Sequence, residues 1–377
     1  MISCGEPSGD LYAGALAEAL RAREADVEIF GLGGERLRAA GATLVGDYSG
    51  MSATGYVGAL RVIPRALAML GRLVRAAAER RPDVFVAVDF SDFNFPLMAR
   101  LRRRGIPVVY YVSPQLWAHR PGRMKAMQQH VSRALVIFPF EEEVYRQAGV
   151  AVEFVGHPLV EMTAPTTPRM EFLSSLGLSP PAPTVALLPG SRRNELRRIA
   201  PTMAAAVPLI RARVPGVQFV IARAPGLGDE LFAPFFGVKR PGIVEGRAND
   251  VLASCDVAIT ASGTATVQAA LHERPMVVVY RLAPLEYRLG KRFVSVDMYA
   301  MPNLLAGKRI VPELIQDGFT ADRVADETVS LLTHSERHAE MRTALRIVRE
   351  RLGGPGASSR AAANVLDVAR RLSTGTP

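Results

Sequence analysis

Short runs rich in valine and isoleucine alternate along the chain with longer segments whose apolar residues recur at helical spacing. Strands of a parallel sheet are buried on both faces and therefore give nearly continuous apolar runs, while the helices between them cover the sheet. The pattern predicts an α/β protein built on parallel sheets. The predicted strands are Asp83–Asp89, Val108–Val112, Ala134–Phe138, Thr184–Leu188, Val217–Ala222, Val257–Thr260 and Met276–Tyr280.

A proline-rich stretch divides this pattern into two series. It covers residues 161–183, where threonines and serines accompany the prolines, as is typical of a linker. Each series opens with a short strand, a glycine turn and a helix, first at Ile2–Asp10 and again at Thr184–Arg192. We therefore predict two facing Rossmann-like domains, at residues 1–160 and 184–345. A chain of 377 residues has room for two cores of that size.

The composition is that of a globular protein in a reducing compartment. Hydrophobic residues make up 49% and charged residues 22% of the chain. No apolar run approaches the roughly 20 residues that a spanning helix needs, and the first residues lack the apolar segment of a secretory signal. Two isolated cysteines, Cys4 and Cys255, do not form a disulfide framework. We expect a cytoplasmic protein without disulfides.

The net charge of +10 indicates an anionic partner, which could be nucleic acid, an acidic membrane or a phosphorylated substrate. Nearly all the cations are arginines, which bind phosphate through two hydrogen bonds, although an arginine bias can equally reflect genome composition. Aromatic residues are only 7% of the chain, and no basic and aromatic stacking platform is present. We expect no nucleic-acid partner.

The first glycine turn lies between a short strand and a helix expected to start near Leu11. Backbone N–H groups around Ser8 and Gly9, together with the helix dipole, could hold an anion there. Taken alone, the turn is better explained by Ser8 or Asp10 capping the helix. Glu6 has no such capping role, so it is a candidate for chemistry.

The second glycine turn adds a hydroxyl and a guanidinium to the same geometry. Gly190, Ser191 and Arg192 follow a predicted strand and precede a helix, an arrangement suited to a diphosphate. We choose Arg192 for the phosphate contact. The other arginines of this segment are expected on the solvated face of the helix, at Arg193, Arg197 and Arg198.

A third loop, Ser262–Thr264, also joins a strand to a helix, and its hydroxyls could either cap that helix or bind phosphate. Ligands of open parallel sheets bind beyond the carboxyl ends of the strands. We therefore expect all three loops to line a cleft between the domains.

Asp89 follows a predicted strand and is a candidate general base, because partial burial at that position would raise its pKa towards neutrality. Asp92 suits a turn or helix cap better. The chain contains no Asp-x-Asp string, and its six histidines show no ligand spacing. We predict no metal and no cofactor.

Residues Leu60 to Arg80 predict a helix entered at Pro64. Its arginines at 61, 65, 72 and 75 gather on one side of a helical wheel, opposite Ile63, Leu67, Leu70 and Val74. Such a helix either packs its apolar face into the core or lies on an anionic membrane surface. Both interpretations stay open.

Eight strings occur in the same order as in lipid-A-disaccharide synthases, and together they resemble that family from residue 5 to about residue 316. The strings are GEPSGD, VDFSDFN, YYVSPQLWAHRPGR, VIFPFEEEVY, LLPGSRRNEL, ASGTATVQAAL, PMVVVYR and MPNLLAGKRIVPELIQ.

The resemblance implies a GT-B glycosyltransferase fold whose C-terminal helices, at residues 346–377, return to the first domain. It implies transfer of 2,3-diacylglucosamine from UDP-2,3-diacylglucosamine to the 6-hydroxyl of 2,3-diacylglucosamine 1-phosphate. The products are the β-1,6-linked lipid A disaccharide 1-phosphate and UDP. Since these substrates carry acyl chains, we expect the protein to contact the anionic surface of the inner membrane peripherally; an oligomer is also possible.

Carried over by motif, Asp89 resembles the family's base and Glu6 an essential carboxylate. The remaining positions predicted to bind substrate or UDP are Ser8, Gly9, Asn94, Gly190, Ser191, Arg192, Glu245, Gly246, Ser262, Gly263, Thr264, Gln268 and Asn303. The loop starting at Glu245 is the candidate for uracil contact.

This chain departs from the family pattern at three positions. Gln268 replaces a glutamate that accepts hydrogen bonds from ribose hydroxyls in related folds, and an amide can accept only through its carbonyl oxygen. His119 replaces a tryptophan, and Pro7 replaces an alanine.

Enzymes of the same fold, such as a lipid II-type glycosyltransferase or a UDP-sugar 2-epimerase, are an alternative, as is a non-catalytic nucleotide-sugar-binding protein. An epimerase would need no lipid acceptor, and a binding protein would release no UDP.

Overall fold

The structure is a computed structural model that describes residues 1–51, 56–114, 122–237, 242–283 and 298–373, without the side chains of 56–61 and 372–373. His119 therefore lies outside the described residues. The chain divides into two compact units. Unit 1 comprises Met1–Pro158 and Leu352–Pro377, and unit 2 comprises Leu159–Arg351.

Unit 1 is built on a parallel sheet of seven strands among the described residues, in the order β3-β2-β1-β4-β5-β6-β7. Its strands are β1 (Ile2–Ser3), β2 (Phe30–Gly33), β3 (Thr43–Asp47), β4 (Phe85–Val88), β5 (Val108–Tyr111), β6 (Arg133–Val136) and β7 (Val152–Phe154). Its first helices are α1 (Pro7–Arg23), α2 (Glu35–Ala39), α3 (Tyr56–Arg80), α4 (Ser91–Arg102), α5 (Arg123–His130) and α6 (Pro139–Gln147). The central strands are buried on both faces, which is why their sequences are continuously apolar.

Unit 2 has a parallel sheet of six described strands, in the order β10-β9-β8-β11-β12-β13. Its strands are β8 (Thr184–Leu188), β9 (Gln218–Arg223), β10 (Gly242–Glu245), β11 (Val257–Ala261), β12 (Met276–Tyr280) and β13 (Glu313–Ile315). Its helices are α7 (Leu159–Met162), α8 (Arg169–Ser175), α9 (Arg193–Arg213), α10 (Ala233–Phe236), α11 (Ala248–Ser254), α12 (Thr264–Leu271), α13 (Met301–Ala306), α14 (Ala321–Thr333) and α15 (Ser335–Arg351). Single 3₁₀ turns occur at Asp229–Leu231 and Gln316–Gly318.

The prediction of an α/β fold with two parallel sheets is confirmed, and all seven predicted strands are present with ends shifted by no more than two residues. The segment 161–183, expected as a linker, contains the second half of α7 and all of α8 and clusters with unit 2. Asp250 holds it there, because its buried carboxylate accepts hydrogen bonds from Thr166 N at 2.7 Å and Thr167 N at 3.0 Å.

The C-terminal segment changes units at Arg351/Leu352 rather than near residue 346. Its last helix, α16 (Ala357–Ser373), belongs to unit 1. Arg360 Nε donates to the carbonyl of Val155 at 2.8 Å, and Arg133 donates to Asn364 Oδ1 at 2.7 Å. These bonds fix α16 against the β6 and β7 side of its sheet.

Two predicted helix starts were wrong. α1 begins at Pro7, not near Leu11, because proline is well suited to the first position of a helix. α3 begins at Tyr56 and carries Pro64 inside it, eight residues beyond its start. A prediction based on proline as a helix entry point therefore places α3 too late.

In each sheet the strand order reverses at one point, between β1 and β4 in unit 1 and between β8 and β11 in unit 2. The chain leaves β1 towards one side of the sheet and leaves β4 towards the other, so the two following loops separate and leave a crevice. Most of the candidate site residues follow these four strands; Glu245 and Gly246 lie at the end of β10 instead, and Asn303 lies on α13.

Candidate functional site

In unit 1, the two candidate carboxylates flank the reversal point. β1 and β4 pair directly, with Ser3 opposite Ala87, and Glu6 and Asp89 follow them. Both are half-buried, and both line one cavity of about 440 Å³. The structure thus brings together two acidic residues that are 83 positions apart in sequence.

The backbone at Asp89 has an unusual conformation. Asp89 (φ 49°) and Phe90 (φ 46°) both have a left-handed backbone conformation, which residues other than glycine rarely adopt. The Phe90 ring lies over Gly5, where a Cβ would come within 2.1 Å of the ring. Gly5 is therefore required for this packing, and the packing brings the Glu6 loop beside Asp89. Strained backbone of this kind is concentrated at functional sites.

Asn94, predicted to bind substrate, is completely buried beneath this loop. Its Nδ2 donates to the carbonyl of Asp89 at 2.9 Å and to that of Ser3 at 3.2 Å, while its Oδ1 accepts from Ser3 Oγ at 2.7 Å. Tyr110, which the sequence did not single out, donates its hydroxyl to the same Asp89 carbonyl at 2.8 Å. Burial and the nearby Asp89 carboxylate raise the pKa of Tyr110, so the hydroxyl stays protonated.

The first turn of α1 contains Ser8, which is half-buried, and Gly9, which is buried. A Cβ on Gly9 would lie 4.0 Å from the Asp89 Cβ, so this turn adjoins Asp89. Asp10 does not cap α1. Its carboxylate instead accepts from the backbone N–H of Gly34 at 2.7 Å and Arg36 at 2.9 Å, which caps α2.

The rest of the unit 1 cavity is largely apolar. Helix α3 contributes most of this wall, and Ile63 and Leu67 on it are 48% and 59% exposed. Leu70, further along α3, is buried in the core, and Val74 is half-buried. The C-terminal half of α3 is therefore an ordinary packed helix, whereas its preceding turns present apolar side chains to the surface.

In unit 2, the glycine turn after β8 leads into α9 with Arg192 at the N-cap position. A guanidinium has no acceptor atom and cannot cap the helix. Arg192 instead donates to Glu195 Oε1 at 2.8 Å and keeps 46% of its side chain exposed. Arg193 and Arg197 are exposed as predicted, but Arg198 is half-buried.

The loop after β11 lies next to this turn. A Cβ on Gly190 would be 3.7 Å from the Ala261 Cβ, and Ser191 follows Gly190 at the surface. Helix α12 has Gly263 as its N-cap, which has no side chain to satisfy the first N–H groups. Gly263 and Thr264 are exposed, and the Ser262 hydroxyl donates to the carbonyl of Tyr299 at 3.4 Å. Two helix N-termini without side-chain caps thus stand at adjacent strand ends, which is a setting for anions.

Gln268 lies on α12 and is oriented by Asn249. Asn249 donates its own Nδ2 to the carbonyl of Met162 at 2.9 Å, and its Oδ1 accepts from Gln268 Nε2 at 3.3 Å. The planar amide therefore turns Gln268 Oε1 away from Asn249. Desolvation, then Arg274 and Arg349, lower the pKa of neighbouring His272 to about 4, so His272 is neutral near pH 7.

Asn303, also predicted to bind substrate, is completely buried. Its Nδ2 donates to the carbonyl of Val311 and to Glu313 Oε1, at 3.0 and 2.7 Å, and its Oδ1 accepts from the backbone N–H of Ile310 and Val311. Glu313 in turn accepts from the N–H of Ala300 at 2.8 Å. Asn303 thus uses both ends of its amide inside unit 2.

Glu245 and Gly246 lie at the carboxyl end of edge strand β10 and are exposed. The Glu245 carboxylate accepts from the N–H of Gly226 at 3.2 Å, while Gly246 has a left-handed φ of 72°. Arg247 turns inward to Asp250 at 2.8 Å. The loop proposed for uracil contact therefore exposes Glu245 and Gly246 to solvent, whereas Arg247 is half-buried.

Within the described parts of the chain, no group of three or more acidic, histidine or cysteine side chains is arranged to hold a metal ion. The same described residues include no helix with the length and apolarity needed to cross a membrane.

Comparison with solved structures defines the fold class. The chain is similar to UDP-GlcNAc 2-epimerase from Neisseria meningitidis, with a TM-score of 0.68 and 12% identity, over 97% of this chain and 98% of that one. It is also similar to the spinosyn rhamnosyltransferase, with a TM-score of 0.60 and 18% identity, over 97% and 98% of the two chains. The fold is thus the one shared by GT-B glycosyltransferases and UDP-GlcNAc 2-epimerases.

Sequence comparison selects one family within this class. The family model for lipid-A-disaccharide synthetase matches residues 1–366. Lipid-A-disaccharide synthases from Myxococcus xanthus and Koribacter versatilis are each 44% identical to this chain, over 98% of it and over 97% and 98% of their own lengths. The chain belongs to the lipid-A-disaccharide synthetase family. It is a glycosyltransferase of lipid A biosynthesis that acts on a UDP-sugar and a lipid acceptor, as the motif strings predicted.

Proposed function

We propose that the protein transfers 2,3-diacylglucosamine from UDP to the 6-hydroxyl of 2,3-diacylglucosamine 1-phosphate, with Asp89 as general base. The Asp89 carboxylate takes the proton of the acceptor hydroxyl while the oxygen forms a bond to the anomeric carbon of the donor. The bond from that carbon to the UDP oxygen breaks, and UDP leaves with the electron pair. Attack opposite the leaving group inverts the anomeric centre and gives the β-linkage.

The observation that carries this proposal is the shared cavity of Glu6 and Asp89. One part of its lining is carboxylate, suited to sugar hydroxyls, and the wall from α3 is apolar, suited to acyl chains. An acylated sugar has both kinds of surface. Glu6 would accept a hydrogen bond from the acceptor sugar and hold its 6-hydroxyl towards Asp89. We accordingly assign the acceptor to unit 1.

We assign the donor to unit 2. The diphosphate of UDP would bind the N-termini of α9 and α12 through Gly190, Ser191 and the loop Ser262–Thr264, with Arg192 supplying the positive charge. These groups stabilise the charge that develops on departing UDP, so the mechanism has no step that requires a metal. Gln268 Oε1 would accept from a ribose hydroxyl, and the backbone around Glu245 would contact uracil.

We also propose that the protein meets its substrates peripherally, at the anionic surface of the inner membrane. Ile63 and Leu67 are exposed on α3, and Arg65, Arg72 and Arg75 on the same helix are exposed as well. Exposed apolar side chains beside basic residues are the features of a helix that lies at a membrane surface. Since the same apolar side chains line the Glu6–Asp89 cavity, an acyl chain could pass from bilayer to site along them.

The test is Asp89→Asn, with Asp92→Asn as the matched control. Asparagine keeps the shape and tolerates the left-handed backbone, but it cannot take the proton. Loss of a general base typically lowers kcat by about 10²–10⁴-fold. Asp92 lines the same cavity, but its side chain is 72% exposed and paired with Arg123, so its amide variant should stay near wild-type activity.

Turnover is followed as UDP release with both lipid substrates present, and UDP binding is measured by calorimetry. UDP affinity should be unchanged, because the donor residues belong to unit 2. An Asp89→Asn enzyme with more than about a tenth of wild-type kcat contradicts the base assignment.

A further inference from the structure

The backbone carbonyl of Asp89 receives two buried side-chain donors. Tyr110 Oη lies 2.8 Å from this oxygen and Asn94 Nδ2 lies 2.9 Å from it. Both donors are fully buried, and they come from different elements, β5 and α4. One further hydrogen bond, from Asp89 N to the carbonyl of Tyr111 at 3.2 Å, joins the other side of the residue to β5.

These bonds act on a strained piece of chain. Because Asp89 and Phe90 are left-handed, the peptide between them is turned away from the direction that a continuing strand would give it. A single bond would leave this peptide able to rotate towards an ordinary conformation. With two donors on its oxygen, rotation breaks both bonds and leaves the fully buried Tyr110 hydroxyl and Asn94 amide without this acceptor, which is costly.

The other end of the network reaches the Glu6 loop. Asn94 exchanges two further bonds with Ser3, one to its carbonyl at 3.2 Å and one from its hydroxyl at 2.7 Å. Ser3 is the last residue of β1, three positions before Glu6. The same asparagine therefore ties together the ends of the two strands that carry the acidic residues.

We propose that Tyr110 and Asn94 are positioning residues that hold the Asp89–Phe90 peptide in its left-handed form and thereby direct the Asp89 carboxylate into the cavity. This inference rests on the proposed role of Asp89 as base. Neither residue touches substrate in this scheme: Tyr110 acts through Asp89 alone, and Asn94 also holds Ser3 on the Glu6 side. We call the two hydrogen bonds from Tyr110 and Asn94 to the Asp89 carbonyl the clamp. Removing one of them should consequently lower turnover only in an enzyme that uses the Asp89 carboxylate.

Tyr110→Phe tests this with the least disturbance, because it removes the hydroxyl and leaves the ring. It is measured in the wild-type background and in Asp89→Asn. The loss of one hydrogen bond corresponds to a fall in kcat of about three- to tenfold in the wild-type background. In the Asp89→Asn background we expect no further fall, and the KM for the UDP-sugar should change in neither.

Tyr145→Phe is the matched control. Tyr145 is also a buried tyrosine of unit 1, and its hydroxyl donates to a backbone carbonyl, that of Pro114, at 2.6 Å. Thermal unfolding is recorded for every variant, so that a general loss of folded protein is separated from a loss of turnover. Tyr145→Phe should lower kcat equally in both backgrounds or not at all.

The clamp is refuted if Tyr110→Phe lowers kcat by the same factor in both backgrounds, or leaves the wild-type background unchanged. Failure of the base assignment looks different. It appears as an active Asp89→Asn enzyme before Tyr110 is altered at all.

Discussion

The placement of Arg192 makes a sharp prediction about UDP binding. Arg192 stands at the N-cap of α9, and Glu195 holds its guanidinium at 2.8 Å, so the side chain is already ordered near the proposed phosphate position. Glu195 itself is buried, and a Cβ on Gly190 would lie 3.1 Å from its Oε2. The glycine turn, the arginine and the acid therefore form one packed unit.

The expected magnitude follows from the loss of a charge-assisted contact. Such a bond contributes about 1.5–3 kcal/mol, which corresponds to a rise of about 10- to 150-fold in the Kd for UDP when Arg192 becomes alanine. Half of the side chain is solvent-exposed, so we expect the lower part of this range. The variant also leaves Glu195 without its partner, and its effect on folding is checked by thermal unfolding.

Calorimetric titration with UDP measures the effect, and Arg197→Ala is the control. Arg197 lies on α9 and is exposed, so the Arg197→Ala variant removes the same charge from the same helix at a different place. It should change the Kd by less than about twofold, because surface charges are screened by salt. Equal losses in the two variants would show that general charge, rather than the position of Arg192, attracts UDP.

Three further outcomes are expected. Activity should persist in excess EDTA, because the proposed UDP site uses Arg192 and two helix N-termini as its positive charge; loss of activity that magnesium or manganese restores would contradict the proposed metal-free mechanism. Sedimentation with anionic vesicles should weaken as salt rises and when the α3 arginines are replaced by glutamine, since each basic residue near such a surface contributes about 1 kcal/mol; a folded variant that sediments like wild type would place the membrane contact elsewhere. Burial lowers the pKa of His157 to about 3 from 6.5, so the unfolded chain binds a proton between these values that the folded chain does not. Stability should fall with falling pH across that window by about 1.4 kcal/mol per pH unit, and His157→Phe should remove that slope in denaturant titrations; an unchanged slope would mean that another group titrates.

The buried central strands could be predicted because burial on two faces gives a nearly continuous apolar run, whereas β2, β3, β7, β10 and β13 were not predicted. β8 and β12 have the predicted bounds, and both are almost wholly buried. Helix starts were harder, since proline suits both the loop before a helix and its first turn. Pro7 begins α1, whereas Pro64 lies inside α3, and nothing local in the sequence separates the two cases.

The site was predictable only in part, because exposed and buried polar residues look the same in a motif. Asp10 belongs to the same string as Glu6, yet its carboxylate caps α2, whose first residue lies 25 positions further along. Tyr110 lies inside an apolar strand and had no polar neighbour to mark it. Its role depends on the contact between β4 and β5, which only the folded sheet creates.

In both units a buried side chain holds a residue that is proposed to meet substrate, and this affects how the motifs should be interpreted. In unit 1 a buried asparagine and a tyrosine hold the backbone of Asp89, and in unit 2 a buried glutamate holds the guanidinium of Arg192. Asp89 and Arg192, both proposed to meet substrate, thus each have an inner partner that fixes them. Asn303 resembles such an inner partner, since its amide is fully engaged with its own loop and with Glu313. A fall in activity on changing it would therefore not demonstrate substrate contact. Replacing an inner partner should lower folding stability together with turnover. Replacing a residue that contacts substrate should lower turnover or affinity alone.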